Sequence, residues 1–124
     1  MLEQQAQIDP VSQQAAIESM IRLHGVEETL HLMAAESQTP IAVDEVTTLA
    51  RIEAAGTQLR RTYVVDLEGW SISEEFRRRS RDSICASAPF EPILRAHGSI
   101  REIYVERSGR QIGSVIVTRD ECTF

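Results

Sequence analysis

The chain has 124 residues, 42% of them apolar and 26% charged, which suits one domain with its own core and excludes a wholly disordered chain. No apolar run approaches the ~18 residues of a membrane span, and the opening MLEQQAQIDP has neither the basic nor the apolar stretch of a signal peptide. The formal net charge of −6 is unevenly spread: residues 1–57 hold nine acids and two arginines, residues 58–124 ten acids and eleven arginines.

Taken in chain order, the Gln-rich residues 1–8 are expected to be a flexible N-terminus, and residues 9–124 a single α+β domain. Asp9-Pro10 is a helix start, with Asp at the N-cap and Pro at the first helical position. Ile17, Met20 and Ile21 form an apolar stripe at helical spacing, and Val26, Leu30 and Met33 form a second, rotated from the first. Gly25 lies at the change of phase, so the pattern predicts two helices over 10–24 and 26–36, or one sharply bent helix. Pro40 breaks the connection SQTPIAV. Asp44 is a plausible N-cap for a third helix carrying Val46, Leu49 and Ile52 and ending near Gly56.

In QLRRTYVVDLEGW, Leu59, Tyr63, Val65 and Leu67 alternate at strand spacing, with Arg61 the exception on that apolar face. The strand ends at the Glu68-Gly69 turn. Ser71 and Glu74 fit a capping box opening a helix over 72–86. EPILRA is a short helix ending at His97-Gly98. IREIYVER and QIGSVIVT flank SGR as a tight hairpin: with Ser108-Gly109 as the loop, Arg107 faces Arg110, Val105 faces Ile112, Ile103 faces Ser114 and Tyr104 lies opposite Gly113. Val115, Ile116 and Val117 are apolar on both faces, which predicts a central strand. The expected architecture is N-terminal helices packed on a short antiparallel sheet that ends in a C-terminal β-hairpin.

The most charged stretch is EEFRRRSRD, Glu74 to Asp82, with Arg77, Arg78, Arg79 and Arg81. On a helix, Glu74 reaches Arg77 and Arg78, Glu75 reaches Arg78 and Arg79, and Asp82 reaches Arg78 and Arg79, each at three or four residues. A segment that neutralises itself in this way reads as a solvated helix. The alternative is a nucleic-acid-binding regulator with those four arginines on phosphates, although such a surface wants uncompensated charge.

His24, Glu28 and His31 share a face if the helix is continuous, so they could hold a divalent metal in a metal-dependent enzyme; Gly25 interrupts the motif and no fourth ligand is nearby. Cys85 and Cys122 are unpatterned and form no CxxC, which predicts reduced thiols in a cytoplasmic protein. The phosphate-binding, nucleophile-elbow and EF-hand motifs are absent. Glu102, in IREIYV, is the one ionisable residue flanked by apolar strand residues. No enzymatic activity and no cofactor are expected.

These observations predict a small acidic cytoplasmic interaction module of the inhibitor, immunity or anti-defence type. Its expected partner is a protein with a basic surface, met by Glu18, Glu27, Glu28, Glu36, Asp44 and Glu45. Nucleic acid and membrane are not expected partners. An open sheet edge would permit self-association.

Overall fold

The computed structural model describes residues 9–124; the expected flexible N-terminus, residues 1–8, lies outside them. Helix α1 spans Pro10–His24 and α2 spans Val26–Glu36. Asp9 caps α1 by accepting from the Ser12 N–H at 2.9 Å. Gly25 separates the helices with φ 86°, a conformation that glycine adopts without Cβ strain. Its N–H closes α1 onto the Ile21 carbonyl, and its carbonyl receives the Thr29 N–H and hydroxyl of α2. Thus the change of phase marks two distinct helices.

Five strands follow: β1 (Ile41–Ala42), β2 (Thr47–Ala55), β3 (Gln58–Val65), β4 (Ser99–Glu106) and β5 (Gln111–Val117), side by side in that order. Between β3 and β4 the chain forms α3 (Glu74–Cys85) and α4 (Glu91–Arg95). The class is α+β as expected, but the sheet is mixed: β3 and β4 run parallel, all other neighbours antiparallel. A parallel pair needs a long crossover, and the helical stretch between Val65 and Ser99 supplies it.

The helix expected after Asp44 is strand β2. Leu49 and Ile52 are three residues apart, a helical spacing, yet both lie on the same face of the sheet because a bulge between Leu49 and Arg51 inserts one extra residue. Asp44 caps no helix; its side chain accepts from the Val46 N–H in a local turn. For α3 the cap is Ser73, bonded to the Phe76 N–H at 3.1 Å, rather than Ser71. The hairpin pairs Ile103 with Ser114 and Tyr104 with Gly113 as expected, but a bulge beyond Tyr104 sets Val105 against Gln111 instead of Ile112. The turn is closed between the Glu106 N–H and the Arg110 carbonyl, and Arg110 reaches back to the Glu106 carboxylate at 2.7 Å.

Strand β5, expected to be central, is an edge, with Ile116 on its open side 45% exposed. That edge is partly closed, since the Arg77 guanidinium of α3 donates to the Ser114 carbonyl at 2.7 Å. A side chain bonded to an edge carbonyl blocks that position to another strand, which tells against pairing of copies along β5.

The core lies on one side of the sheet. Leu49, Leu59, Tyr63, Val65, Ile100, Tyr104, Val115 and Val117 share that face by register, and Ile17 of α1, Leu30 of α2, Ile84 of α3 and Ile93 and Leu94 of α4 join them in one cluster. Arg51, Arg60, Arg101 and Ile103 point to the opposite face.

Cys85, at the end of α3, and Cys122, near the C-terminus, are joined in a disulfide with Cα atoms 5.4 Å apart. The expectation of two reduced thiols is therefore corrected: residues 37 apart in sequence meet because the C-terminal segment turns back beside α3.

Gly98 sits where α4 meets β4. A Cβ there would lie 2.7 Å from the Ile93 side chain and 3.0 and 3.2 Å from the carbonyl oxygens of Ile93 and Thr57. Backbone oxygens cannot swing aside, so Gly98→Ala should cost about 1–3 kcal/mol in a urea titration; an unchanged midpoint would show that α4 has slack.

Candidate functional site

A groove of about 440 Å³ opens at one end of the sheet. Val43, Asp44, Val46 and Thr47 of the β1–β2 turn form one wall, and Trp70, Phe76 and Ser80, before and along α3, form the other. Val65, Leu67 and Tyr104 complete the lining. Val65 and Leu67 also line an adjoining cleft with Asp66, Glu68, Glu106, Arg107 and Ser108. Two apolar residues of the lining are open to solvent: Val43 is 55% exposed and Leu67 45%.

An aromatic cluster stiffens the wall and the lining. Trp70 and Phe76 meet edge-to-face at 5.2 Å, Phe76 and Tyr104 at 5.2 Å, and Trp70 and Tyr104 at 5.7 Å. Such contacts contribute about 0.5–1.5 kcal/mol per pair beyond area burial. Gly113, opposite Tyr104, leaves room for Ile72, whose Cδ1 would lie 2.8 Å from a Cβ at that position.

Beneath the cluster lies a buried ionic knot. Arg61 and Glu102 are direct partners on the parallel strands β3 and β4, with Arg61 Nη1 2.9 Å from Glu102 Oε2. The Tyr63 hydroxyl donates to the same carboxylate at 2.8 Å and the Tyr104 hydroxyl donates to its other oxygen at 3.4 Å. The phenol rings stack at 5.2 Å. Burial first, and the neighbouring Glu102 charge second, push both phenols to resist ionisation far above their ordinary value. The Arg61 guanidinium also lies over Phe90 at 5.2 Å. A second cleft, of about 330 Å³, opens onto this knot between Ser83 and Ile84 of α3, Ser87 and Phe90.

The residues singled out from the sequence fall as follows. Glu18, Glu27, Glu28, Glu36, Asp44 and Glu45 are all exposed, spread over α1, both ends of α2 and the β1–β2 turn. Of these, only Asp44 lines the groove. Arg79 pairs with Glu75 at 3.0 Å, and Arg78 approaches Glu75 and Asp82, each at 3.9 Å. Arg77 turns inward to β5 and Arg81 is half-buried, so the four arginines do not form one uncompensated surface. His24 Nδ1 lies 3.9 Å from Glu28, but Gly25 ends one helix and starts the next, and the described residues contain no cluster of three or more His, Cys, Asp or Glu able to hold a metal. Two residues of the ionic knot had left a trace in the sequence, Arg61 as the break in an apolar alternation and Glu102 as a charge amid apolar neighbours. What could connect them was the β3–β4 pairing.

No family model and no curated protein matches the sequence. Solved structures match the fold. A protein from Pseudomonas aeruginosa described as secreted is similar with a TM-score of 0.66 and 16% identity, over 90% of this chain and 96% of that one. EpsS, the pilotin of the Vibrio vulnificus type 2 secretion system, gives 0.64 and 17%, over 90% and 96%. AspS, a type II secretion system pilotin of Vibrio cholerae, gives 0.58 and 18%, over 89% and 95%. At these identities the likeness is one of fold.

The expected cytoplasmic inhibitor, immunity or anti-defence module, bound to the basic surface of an enzyme complex, is corrected by these findings, as is the nucleic-acid regulator. The fold's relatives are described as secreted or belong to a secretion system, and the Cys85–Cys122 bond is of the kind that persists in oxidising compartments. The expectations of a cytoplasmic location and of no membrane partner are corrected with it.

Removing one partner of a buried ion pair strands the other. Glu102→Ala should therefore destabilise the protein by about 3–5 kcal/mol, whereas Arg78→Ala on the solvated face of α3, which loses two exposed pairs, should cost no more than about 1 kcal/mol. Equal effects from the two substitutions would contradict the structural role given to Glu102.

Proposed function

We propose that the chain is a non-catalytic escort protein of the pilotin kind, acting outside the cytoplasm, and that the groove beside Trp70 receives an apolar segment of its partner, a component of a type II secretion system. The observation that carries this reading is the pair of exposed apolar side chains, Val43 and Leu67, in the lining of an aromatic groove. Contiguous apolar surface on a small domain costs solubility unless something covers it. The likeness of fold to EpsS and AspS supports the kind of partner.

The groove is built for docking more than for chemistry. Its polar lining consists of one carboxylate, Asp44, already engaged with the Val46 N–H, and hydroxyls of Thr47, Ser80 and Tyr104. No nucleophile–base pair or metal cluster stands in it among the described residues. An inserted side chain would gain apolar burial against Trp70, Phe76 and Val65, about 1.5–3 kcal/mol for a residue of leucine size.

Leu67→Asp and Val43→Asp place a charge on the rim without touching the core. Each should leave thermal stability close to that of the parent and lower partner affinity at least tenfold. In the source organism they should reduce the output of the secretion system, and a photo-crosslinker at position 67 should capture one of its components. Leu23→Asp, on exposed α1 away from the groove, is the control. Secretion unaffected by both rim variants, together with no crosslink from position 67, would sink the reading.

A further inference from the structure

Helix α3 is held at its two ends. At the start, Phe76 is wedged between Trp70 and Tyr104, and Arg77 bonds the Ser114 carbonyl of β5. At the finish stand one buried apolar residue, Ile84, and the Cys85–Cys122 bond. Glu74, Glu75, Arg78, Arg79 and Asp82 along its length are exposed and add nothing to the core. Through Ser83 and Ile84 the last turns of α3 also wall the cleft above Arg61 and Glu102.

The other side of the disulfide has anchors of its own. Arg119 donates to the Arg95 carbonyl at the end of α4 at 3.0 Å, and the Arg95 guanidinium lies 4.7 Å from the centre of the Phe124 ring. A capping box of Thr118 and Glu121 closes the turn before Cys122. If the sulfur bond opens, the C-terminal segment keeps these contacts to α4, while the end of α3 keeps Ile84 as its one buried side chain.

We propose that the Cys85–Cys122 bond is a latch: when it opens, the last turns of α3 come free and uncover the Arg61–Glu102 knot, while the Trp70–Phe76 end stays docked. The opening step is thiol–disulfide exchange with a dithiol. The dithiol supplies two electrons and two protons, the sulfur–sulfur bond becomes two thiols on Cys85 and Cys122, and the reductant closes its own disulfide. Such a device makes access to a buried polar site conditional on redox state without unfolding the domain.

Hydrogen exchange on the full chain tests it, with the bond intact, with dithiothreitol added, and in the Cys85→Ser/Cys122→Ser variant. The amides of residues 80–86 should exchange at least tenfold faster once the bond is open, while those of Thr62–Val64 and Ile100–Tyr104 keep their rates. The chain carries one Trp and two Tyr, which serve as local reporters. Trp70 emission should stay constant, and in the double-serine variant the Tyr63 phenol should ionise nearer the ordinary tyrosine range in a rapid alkaline titration. Unchanged protection in α3, faster exchange confined to residues 119–123, or a uniform rise across the sheet would each overturn the latch.

Discussion

The parallel pairing of β3 with β4 is the constraint on which the rest of this structure depends. Two parallel neighbours cannot be joined by a tight turn, so the chain must travel the length of the sheet between Val65 and Ser99. That return path supplies α3 and α4, and with them one wall of the groove and the roof of the second cleft. The same pairing sets Arg61 beside Glu102 and Tyr63 beside Tyr104. A slip of one residue would bring Arg61 against Arg101 or Ile103 and leave its guanidinium without the Glu102 carboxylate. A buried unpaired charge costs several kcal/mol, so the ionic knot acts as a register key as well as a contact.

Much of this was legible locally and little of it globally. Asp9-Pro10, Gly25 and the Ser108-Gly109 turn are residues whose backbone chemistry acts over a few positions, and the helix pair and the hairpin appear where those residues point. Strand β2 was hidden because its bulge makes Leu49 and Ile52 mimic a helical stripe; a bulge is a pairing feature, and pairing partners are not written in the strand itself. The disulfide was hidden for a similar reason: nothing around Cys85 or Cys122 indicates that the C-terminus folds back on α3. The groove shows the same limit. Trp70 and Phe76 carry no distinguishing pattern in the sequence, and their joint role as a wall appears only when the β1–β2 turn is placed opposite them.

Charge proved a poor guide to the site. The acidic first half of the chain is the strongest electrostatic feature of the sequence, yet its carboxylates scatter over two helices and a turn. The concave surface is instead apolar and aromatic, with a single carboxylate in its lining. Net charge speaks to solubility and association rates, whereas a docking site needs concentrated burial, and in this molecule the two are found in different places.

The arginine run acquires a physical purpose from this arrangement. Helix α3 contributes few apolar contacts, chiefly Phe76 and Ile84, because it stands at the boundary between the groove on one side and the cleft on the other. A helix of 12 residues with so little burial is marginal in water. The pairs Glu75–Arg79, Glu75–Arg78 and Arg78–Asp82 stabilise it from its solvent side, each contributing about 0.2–0.5 kcal/mol, and Arg77 ties it to the sheet edge. Mixed charge thus does for α3 what a core face does for α2, and it leaves both flanks of the helix unencumbered for the two concavities it divides.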